Sequence, residues 1–565
     1  MDETGTRPDE VRAVGGQAGA MAAIVMLIMQ LLWRLDWSAT AVPAFPEIVV
    51  TAIARLTPLD LFATITESVG SVAKNTLFVA VLIGIIGVGS STGMLIERRM
   101  HRRQPPNAFV AFSLALVAAA MFWLVAAVLV FPLAHLGIFA LDSRNTEPIL
   151  TQTAVTFAVF GVLLGTLLAR ARRVNAIIRS QPTAIASRRR AMAGGFWILA
   201  GVAWLARITW RLLNPATVAT ASGPTTAELV DRQQQLNAGV QASPPPSPSP
   251  SPRATPAVAS QTVDFAGLES TRELTPLLTP ISTFYKVSKN IADPQVPAEK
   301  WSLSVGGLVA KELTFTYEQL RQRPTVRKIT TLCCISNELN GDLIGTGEWT
   351  GFPLRDLLDE AGVDLSKTVD IRLFCADDYE DSFPLAVALD PDTLVVTELN
   401  GLPLNADHGF PCRLIVPNIY GMKNVKWLER IEAVDKDFLG FWETRGWSDE
   451  AICQIWGRID VPRASDEVAA GQAIAAGLAA AGHRGIYRVE VSLDDGASWA
   501  AATLEPPLNE PFTWVRWAFP FEAAPGEQTL TIRAIDGEGA VMDEQRRPPL
   551  PDGATGWPTR TFTVV

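Results

Sequence analysis

The sequence predicts a multi-domain chain with three folded parts: an all-α membrane bundle, then an α+β domain, then an all-β sandwich. The chain has 565 residues, too many for one compact domain. Its mean hydropathy is +0.20 with only 19% charged residues, which favours membrane segments. Residues 1–222 hold 19 basic and 11 acidic residues, whereas the remainder holds 29 and 47. Because a nucleic-acid partner needs a basic face, the acidic second half predicts no such partner.

Five apolar stretches approach the roughly 20 residues that a helix needs to cross a bilayer. They are residues 17–35, 75–96, 108–136, 150–170 and 191–210, and they define a predicted membrane domain over 1–215. Since four more stretches follow the first, we interpret it as a span and not as a cleaved signal peptide. A further apolar stretch, 45–66, is interrupted by Arg55, Pro58 and Asp60. We predict an interfacial or re-entrant segment there, with a sixth span as the alternative.

The arginines predict the orientation of these spans. Residues 97–103 contain four arginines and residues 170–190 contain seven, whereas residues 137–149 contain only Arg144. Connections rich in arginine stay in the cytoplasm. The N-terminus is therefore expected in the cytoplasm, and everything beyond about residue 211 is expected outside.

Residues 187–192 (SRRRAM) form a loose twin-arginine sequence ahead of the last apolar stretch. Such a signal would export a domain that has already folded around a cofactor. Ordinary arginines of a cytoplasmic connection are the alternative interpretation.

Counting histidines tests for a heme in the membrane domain. A membrane heme with two histidine ligands needs two of them within spans, and the chain has four histidines in all. Only His135 falls within a predicted span, while His101 lies in a basic turn. We therefore expect no heme within this chain and interpret His135 as interfacial. A quinone or a separate heme-containing redox partner remains compatible with the sequence.

Residues 216–262 contain the tract SPPPSPSPSPRATP, which cannot form a core and is predicted to be a semi-rigid linker. Globular patterns follow over 263–450. Period-two and short apolar patterns predict the next elements. They are strands over 301–305, 371–374 and 412–416, and helices over 313–320 and 354–358.

The last segment, 451–565, has the pattern of an all-β sandwich. Residues 487–493 alternate strictly between apolar and polar and are followed by Asp494-Asp495-Gly496, a hairpin signal. Further strands are predicted over 512–521, 528–534 and 560–565.

Three stretches between residues 280 and 430 contain the candidate chemistry. They are F-Y-K-V-S-K-N from Phe284, T-L-C-C-I-S-N from Thr331 with W-T-G-F-P-L from Trp349, and H-G-F-P-C-R-L from His408 with Y-G-M-K-N-V-K-W from Tyr420. A thiolate is a soft metal ligand, and His, Arg and Lys bind phosphate. However, buried cysteine pairs are usually core residues and a K-x-x-K pattern is usually a solvated face. The residues alone leave this choice open.

The order T-L-x-C-x-x-N, W-x-G-x-x-L, H-G-F-P-x-R and K-x-x-K-W resembles the sulfite oxidase superfamily of molybdopterin enzymes. The resemblance covers 263–445 and 455–565, and implies a catalytic domain followed by an Ig-like domain. It implies that Cys334 is the molybdenum ligand, with no role for Cys333. His408, Arg413, Lys423 and Lys426 match positions that hold the pterin and its phosphate.

The phrases around Tyr285, Trp349 and Tyr420 are more similar to the bacterial methionine-sulfoxide reductase branch. That resemblance implies Tyr285 as a catalytic and cofactor-binding pocket tyrosine. Sulfite-oxidising members have arginines where this chain has Glu338 and Leu339. A doubly charged anion would lose charge-assisted hydrogen bonds, each worth roughly 1.5–3 kcal/mol. A sulfoxide-like acceptor is therefore favoured over sulfite.

The leading hypothesis is a membrane-anchored, extracytoplasmic molybdopterin oxidoreductase that acts on a small molecule. One alternative keeps sulfite or another oxyanion as substrate, held by Lys289 and Arg484. The other is a tethered binding module without catalysis. The resemblance also suggests a homodimer through the C-terminal domain. Cys375, Cys412 and Cys453 are expected to be buried apolar residues, with a disulfide as the alternative.

Overall fold

The computed structural model describes most of the chain in two compact units. The described residues are 8–36, 42–57, 71–101, 108–134, 136–141, 146–178, 201–209, 263–290, 293–464, 466–506 and 512–565. The first unit contains the apolar helices together with Ser288–Gln295, and the second contains the remainder from Ala221. The twin-arginine sequence, the whole of the predicted linker and His135 lie outside the described residues.

The first unit is all-α over the described residues. Its helices are α1 Pro8–Asp36, α2 Phe45–Leu56, α3 Ser71–His101, α4 Ala108–Val125, α5 Thr146–Ile178 and α6 over 201–209. A π-helical segment, Ala126–Val130, and the turn Phe131–Leu133 continue α4, and a 3-10 turn follows at Ile138–Ala140.

Helices α1 and α3 pack closely because glycines line their contact. A Cβ on Gly19 would overlap the carbonyl oxygen of Gly89, and one on Gly93 would overlap that of Gly15. Each pair of glycines is four residues apart on its helix, so the small residues form a stripe that lets the two backbones meet. Nearby, the buried Gln30 donates to Thr156 Oγ1 at 2.5 Å and accepts from the backbone N–H of Phe45 at 3.0 Å.

Four of the five predicted spans form helices long and apolar enough to cross a membrane. They are Val14–Trp33, Lys74–Met100, Ala108–Leu133 and Thr146–Arg170. The fifth prediction, 191–210, falls within the described residues only over 201–209, which are helical. The stretch predicted as interfacial begins with α2, whose 12 residues are too few to cross a bilayer.

The second unit begins with an α+β domain, as predicted. Its strands are β1 Ser302–Gly307, β2 Leu313–Thr316, β3 Val326–Cys333, β4 Ile344–Pro353, β5 Asp370–Cys375, β6 Glu380–Pro384, β7 Leu394–Leu399, β8 Leu402–Pro403, β9 Arg413–Ile415 and β10 Leu428–Val434. Its helices are α7 Phe265–Arg272, α8 Tyr317–Arg321, α9 Leu354–Ala361 and α10 Leu385–Ala388. One sheet has the order β2-β1-β10-β5-β6 and the other β3-β4-β7-β8, with β9 beside β7. Apolar side chains from both sheets and from α9 form the main core.

The predicted helix over 313–320 is wrong in its first half. Leu313–Thr316 is strand β2, which pairs with β1, and α8 begins only at Tyr317. Thr316 starts the helix because its hydroxyl accepts from the N–H of Gln319, while the Gln319 side chain accepts from the N–H of Thr316. This capping box fixes the boundary inside the predicted helix.

The C-terminal part is a β domain of two sheets, as predicted. Its strands are β11 Trp456–Val461, β12 Glu467–Val468, β13 Gly471–Ala480, β14 Ile486–Ser492, β15 Ala500–Ala501, β16 Thr503–Leu504, β17 Val515–Ala523, β18 Gly526–Asp536 and β19 Thr559–Val564. The sheet orders are β11-β13-β17-β16 and β12-β19-β18-β14-β15. Trp517, Phe521, Ile532 and Phe562 contribute to the core that both sheets share.

The loop after β3 is held by the C-terminal domain. Asn340 donates to the carbonyl of Thr559 at 3.0 Å and accepts from the N–H of Ile459 at 3.0 Å. Arg458 donates to the carbonyl of Gly341 at 3.1 Å. The two domains of the second unit therefore share one hydrogen-bonded boundary beside the candidate cysteine.

Candidate molybdopterin site

Cys334 lies at the first position after strand β3, where the chain leaves the sheet. Its N–H donates to the carbonyl of Leu343 at 2.9 Å, and its Sγ is 3.0 Å from Ser336 Oγ. Asn337 closes the loop, since its N–H donates to the carbonyl of Cys334 and its Oδ1 accepts from the N–H of Leu343. Burial raises the pKa of the Cys334 thiol, and the Ser336 hydroxyl opposes this effect.

None of the five cysteines, all of which lie within the described residues, forms a disulfide, so the Cys334 thiol is available to a metal. Cys375 and Cys412 are buried, as predicted, and Cys453 is only half-buried. Cys333 points its thiol into a small apolar cluster that includes Ile344 and Trp456. The two neighbouring cysteines thus have different surroundings.

Tyr285 belongs to an aromatic group that borders this loop. The ring of Phe284 stacks on Tyr285 at 5.8 Å and meets Trp349 and His408 edge-on at 5.7 and 5.6 Å. Burial raises the pKa of Tyr285, and the Cys334 thiol adds to this effect while Arg413 opposes it. Tyr285 thus contacts Phe284, which in turn contacts Trp349 and His408.

His408 and Arg413 are presented by the turn that precedes β9. Asn405 caps the short helix Ala406–His408 by accepting from the N–H of His408 at 2.9 Å. Gly409 follows with φ +101, a conformation that favours glycine, and a Cβ there would lie 3.0 Å from Lys426 and 3.1 Å from Arg413. The tight turn therefore brings His408, Arg413 and Lys426 together.

The electrostatics of this turn favour a neutral histidine beside a cationic arginine. Burial lowers the pKa of His408 to about 3, and the Arg413 charge contributes. Burial lowers the pKa of Arg413 to about 10, so the guanidinium stays charged at neutral pH. Lys426 donates to the carbonyl of Asp407 at 3.0 Å and lies over the Trp427 ring at 4.2 Å.

Lys423, the remaining predicted cofactor contact, has a different environment. Its ammonium donates to Asp381 Oδ1 at 3.0 Å, to Asp449 Oδ1 at 3.1 Å and to the carbonyl of Ser382 at 2.8 Å. Glu443 Oε1 lies 3.1 Å from the same nitrogen. The structure thus groups Tyr285, Cys334, His408, Arg413 and Lys426, and places the Lys423 ammonium in a separate ion cluster.

The sequence did not predict which residues contact the candidate site residues. The structure shows three such contacting residues that shape the site. Trp349 lies under the Arg413 guanidinium at 5.2 Å, and Phe284 joins Tyr285 to His408. The carbonyl of the buried Asn424 accepts from Arg413 Nη2 at 2.8 Å. All three residues lie within the recognised motifs, but only the fold reveals their contacts.

The buried donors of this site fit an anionic cofactor. Arg413 Nη1 and Nη2 donate to the carbonyls of His408 and Asn424, at 3.4 and 2.8 Å. Its Nε is buried and has no hydrogen-bond acceptor among the described residues. An unmet buried donor is costly, and a bound acceptor would remove that cost. Together with the free Cys334 thiol, this donor set suits a molybdenum ion on a pterin with a phosphate tail.

Two family models match this part of the chain. Residues 290–442 match the family described as oxidoreductase molybdopterin binding domain. Residues 449–547 match the Mo-co oxidoreductase dimerisation domain.

Curated relatives point the same way. Mitochondrial sulfite oxidase of Homo sapiens is 28% identical over 306 residues, covering 46% of this chain and 56% of that protein. The NADPH nitrate reductase of Phytophthora infestans is 31% identical over 317 residues, covering 46% of this chain and 35% of that protein. Among solved structures, the sulfane dehydrogenase SoxCD from Paracoccus pantotrophus is 22% identical and superposes with a TM-score of 0.47. The match covers 62% of this chain and 95% of the SoxCD chain.

The C-terminal half of the chain therefore contains the two domains of a molybdopterin-dependent oxidoreductase. Both domains are of the type found in the sulfite oxidase family, and the cofactor that such a binding domain holds is molybdenum-molybdopterin. The chain spans about half the length of the sulfite oxidases that it matches. When bound, the cofactor supplies a redox-active metal that can exchange an oxygen atom with a substrate.

Proposed function

We propose that the protein is a membrane-anchored, extracytoplasmic oxidoreductase that transfers an oxygen atom to or from a small neutral or zwitterionic substrate. A sulfoxide-like acceptor is the favoured substrate. Its reduction consumes two electrons and two protons and yields a sulfide and water. The observation that carries this proposal is that Tyr285 Oη and the carbonyl of Cys333, the neighbour of Cys334, both lie against Gly421. Phe284 joins Tyr285 to Trp349, which lies under the Arg413 guanidinium at 5.2 Å.

Each residue has a proposed role in that reaction. Cys334 would ligate the metal as a thiolate, and Tyr285 would contact the substrate. Arg413 would use its unmet Nε to hold the cofactor, with His408 and Lys426 beside it. Because burial lowers the pKa of His408 to about 3, His408 would act as a neutral hydrogen-bonding partner and not as a second cation.

The charges near the cysteine loop support a substrate with little negative charge. Glu338 is exposed and Leu339 is half-buried, so neither supplies a cation to the loop. Arg484 donates to Asp536 Oδ2 at 2.8 Å and to the carbonyl of Cys453 at 3.1 Å. Because Asp536 is fully buried, releasing Arg484 towards an oxyanion would leave an unpaired buried carboxylate.

Sulfite is the second candidate substrate, because most of the curated relatives in the comparison are named sulfite oxidases. A direct comparison separates the two. The full-length protein, purified in detergent from a host that makes the cofactor, is assayed for sulfoxide reduction with a chemical electron donor and for sulfite oxidation with an electron acceptor. We expect the first activity to exceed the second, and the reverse ranking would contradict the proposed substrate.

The metal ligand is tested on the same preparation. We expect near-stoichiometric molybdenum in the wild-type protein and loss of activity in Cys334→Ser, because serine replaces the soft thiolate ligand. Cys333→Ala is the matched control and should retain activity. A well-folded wild-type protein without molybdenum would instead favour a tethered binding module.

The location and partners are also proposals. Arginine placement supports a cytoplasmic N-terminus, and the match to a dimerisation domain supports a homodimer. Electrons would come from the reduced form of a quinone, a quinol, or from a heme-containing partner. If residues 187–192 act as a twin-arginine signal, replacing Arg188 and Arg189 by lysine should leave the catalytic domain in the cytoplasm, where external protease cannot reach it. Unchanged protease accessibility would refute this export route.

A further inference from the structure

Lys423 is a buried cation with its own set of acceptors. Its side chain is 1% exposed. Its three N–H groups donate to Asp381, Asp449 and the carbonyl of Ser382, and Glu443 lies 3.1 Å away. An ammonium has three donors, and all three are used here. No donor of Lys423 is therefore left for a phosphate.

The carboxylates around Lys423 depend on its charge. The side chains of Asp381 and Glu443 are 0% and 1% exposed, so both carboxyls are removed from water. The Tyr379 hydroxyl donates to Asp381 Oδ2 at 2.7 Å and supplies the only other side-chain hydrogen bond that the structure describes for this carboxylate. Removing one partner of such a cluster leaves a buried charge without compensation.

The backbone on either side of Lys423 forms part of the site wall. The N–H of Gly421 donates to the carbonyl of Cys333 at 2.8 Å, next to the metal ligand. A Cβ on Gly421 would lie 2.6 Å from Tyr285 Oη, so this backbone and the Tyr285 hydroxyl are in close contact. On the other side, the carbonyl of Asn424 accepts from Arg413.

The second lysine of the K-x-x-K motif contacts other groups. Lys426 donates to the carbonyl of Asp407, within the turn that carries His408. The backbone of Lys426 also packs against Gly409. The two lysines of one motif thus serve different parts of the structure.

We propose that Lys423 is a positioning residue and not a ligand of the cofactor. With Asp381 and Glu443 it forms an ion cluster that holds residues 420–424 against Cys333, Tyr285 and Arg413. In this arrangement Lys426, and not Lys423, is the lysine that contacts the phosphate. This inference rests on the proposed site around Cys334, but it does not depend on the identity of the substrate.

Charge-balanced substitution tests the proposal on the full-length protein in detergent, from a host that makes the cofactor. The test pair is Lys423→Met, alone and combined with Asp381→Asn. The control pair is Lys426→Met, alone and combined with Asp381→Asn. Molybdenum and cofactor phosphate per chain are the primary readouts, and kcat and KM are measured on the loaded fraction.

We expect Lys423→Met to lower cofactor retention by about 10–100-fold, as losing an outer support of a metal site does. Adding Asp381→Asn should restore most of this loss, because it removes one of the two buried carboxyls and so balances the loss of the lysine charge. In the loaded fraction of Lys423→Met, kcat should fall with little change in KM. Lys426→Met should also lose cofactor, and Asp381→Asn should not rescue it.

Two outcomes would overturn the proposal. If the Lys423→Met and Asp381→Asn double variant is as empty as the single variant, the lysine itself contacts the cofactor. If the double variant fails to fold, the cluster is required for folding itself and does not act only by positioning residues 420–424. Cofactor content is read without any substrate, so an inactive but fully loaded wild-type protein would contradict the proposed substrate and leave this test intact.

Discussion

Replacing His408 by glutamine should abolish a specific dependence of folding stability on pH. In the folded protein, burial lowers the pKa of this imidazole to about 3 from its usual 6.5, and the cations Arg413, Lys426 and Lys286 add to the effect. The carbonyl of Ile281, 3.3 Å from Nε2, opposes it only in part. Glutamine keeps a polar side chain of similar reach but cannot take up a proton.

The sign follows from proton binding. Between pH 6.5 and 3 the unfolded chain binds a proton at His408 and the folded chain does not, so stability is lost as the pH falls through this window. The loss between pH 8 and pH 5 is about 2 kcal/mol, since each unit below 6.5 contributes about 1.4 kcal/mol. This loss of free energy corresponds to about a 30-fold change in the equilibrium between the folded state and the unfolded, open state.

The assay uses Cys412 as a probe of opening, because this thiol is 0% exposed and lies four residues from His408. The full-length chain, made without cofactor, is labelled in detergent with a dipyridyl disulfide, and the rate at Cys412 is divided by that of the unfolded chain at the same pH. We expect His408 to make opening about 30-fold more favourable at pH 5 than at pH 8, measured as the difference between the pH dependence of the wild type and that of His408→Gln. The pH dependence attributable to His408 should be lost in His408→Gln.

The exposed His483 provides the matched control, and His483→Gln should behave like the wild type. If His408→Gln retained the full wild-type pH dependence, the imidazole would not be buried neutral. The assignment of His408 as an uncharged partner of the cofactor would then be wrong.

Two further substitutions test close backbone contacts. Gly19→Leu should lower the thermal stability of the helical unit in detergent, because a side chain there would overlap the carbonyl of Gly89. The control Gly84→Leu has open space around it and should leave the melting temperature unchanged. Equal melting temperatures for the two variants would contradict the α1–α3 contact. Gly421→Ala should lower cofactor retention, because its Cβ would overlap the Tyr285 hydroxyl. Adding Tyr285→Phe removes that hydroxyl and should recover part of the lost cofactor. A double variant that retains no more cofactor than Gly421→Ala alone would refute this contact.

Sequence patterns predicted the elements that depend on local periodicity. The strand at Ser302–Gly307, the helix at Leu354–Ala361 and four long apolar helices lie close to their predicted positions. The region 313–320 was misjudged because its apolar residues fit a helix, while pairing with β1 makes the first four residues a strand. The pairing partners of these four residues lie 8 to 14 positions earlier in the chain, outside the eight-residue window over 313–320.

The sequence predicted the site residues only where they lie close together in one motif. The turn at His408–Arg413 brings its members together through local geometry, so the motif identifies the group. Lys423 differs, because its partners Asp381 and Glu443 lie 42 and 20 residues away along the chain. A spacing of three residues between two lysines gave no sign that one of them is enclosed by carboxylates.

The hydrogen bonds of Asn340 also constrain when the site can be completed during synthesis. Asn340 follows the metal-ligand loop closely, but its acceptor is on Thr559, in the last strand of the chain. Thr559 is synthesised 219 residues after Asn340, so the loop lacks this support until the C-terminal domain has been made and has folded. Cofactor loading is therefore expected to depend on the folded C-terminal domain, and removing β19 should impair loading although every predicted cofactor contact is still present.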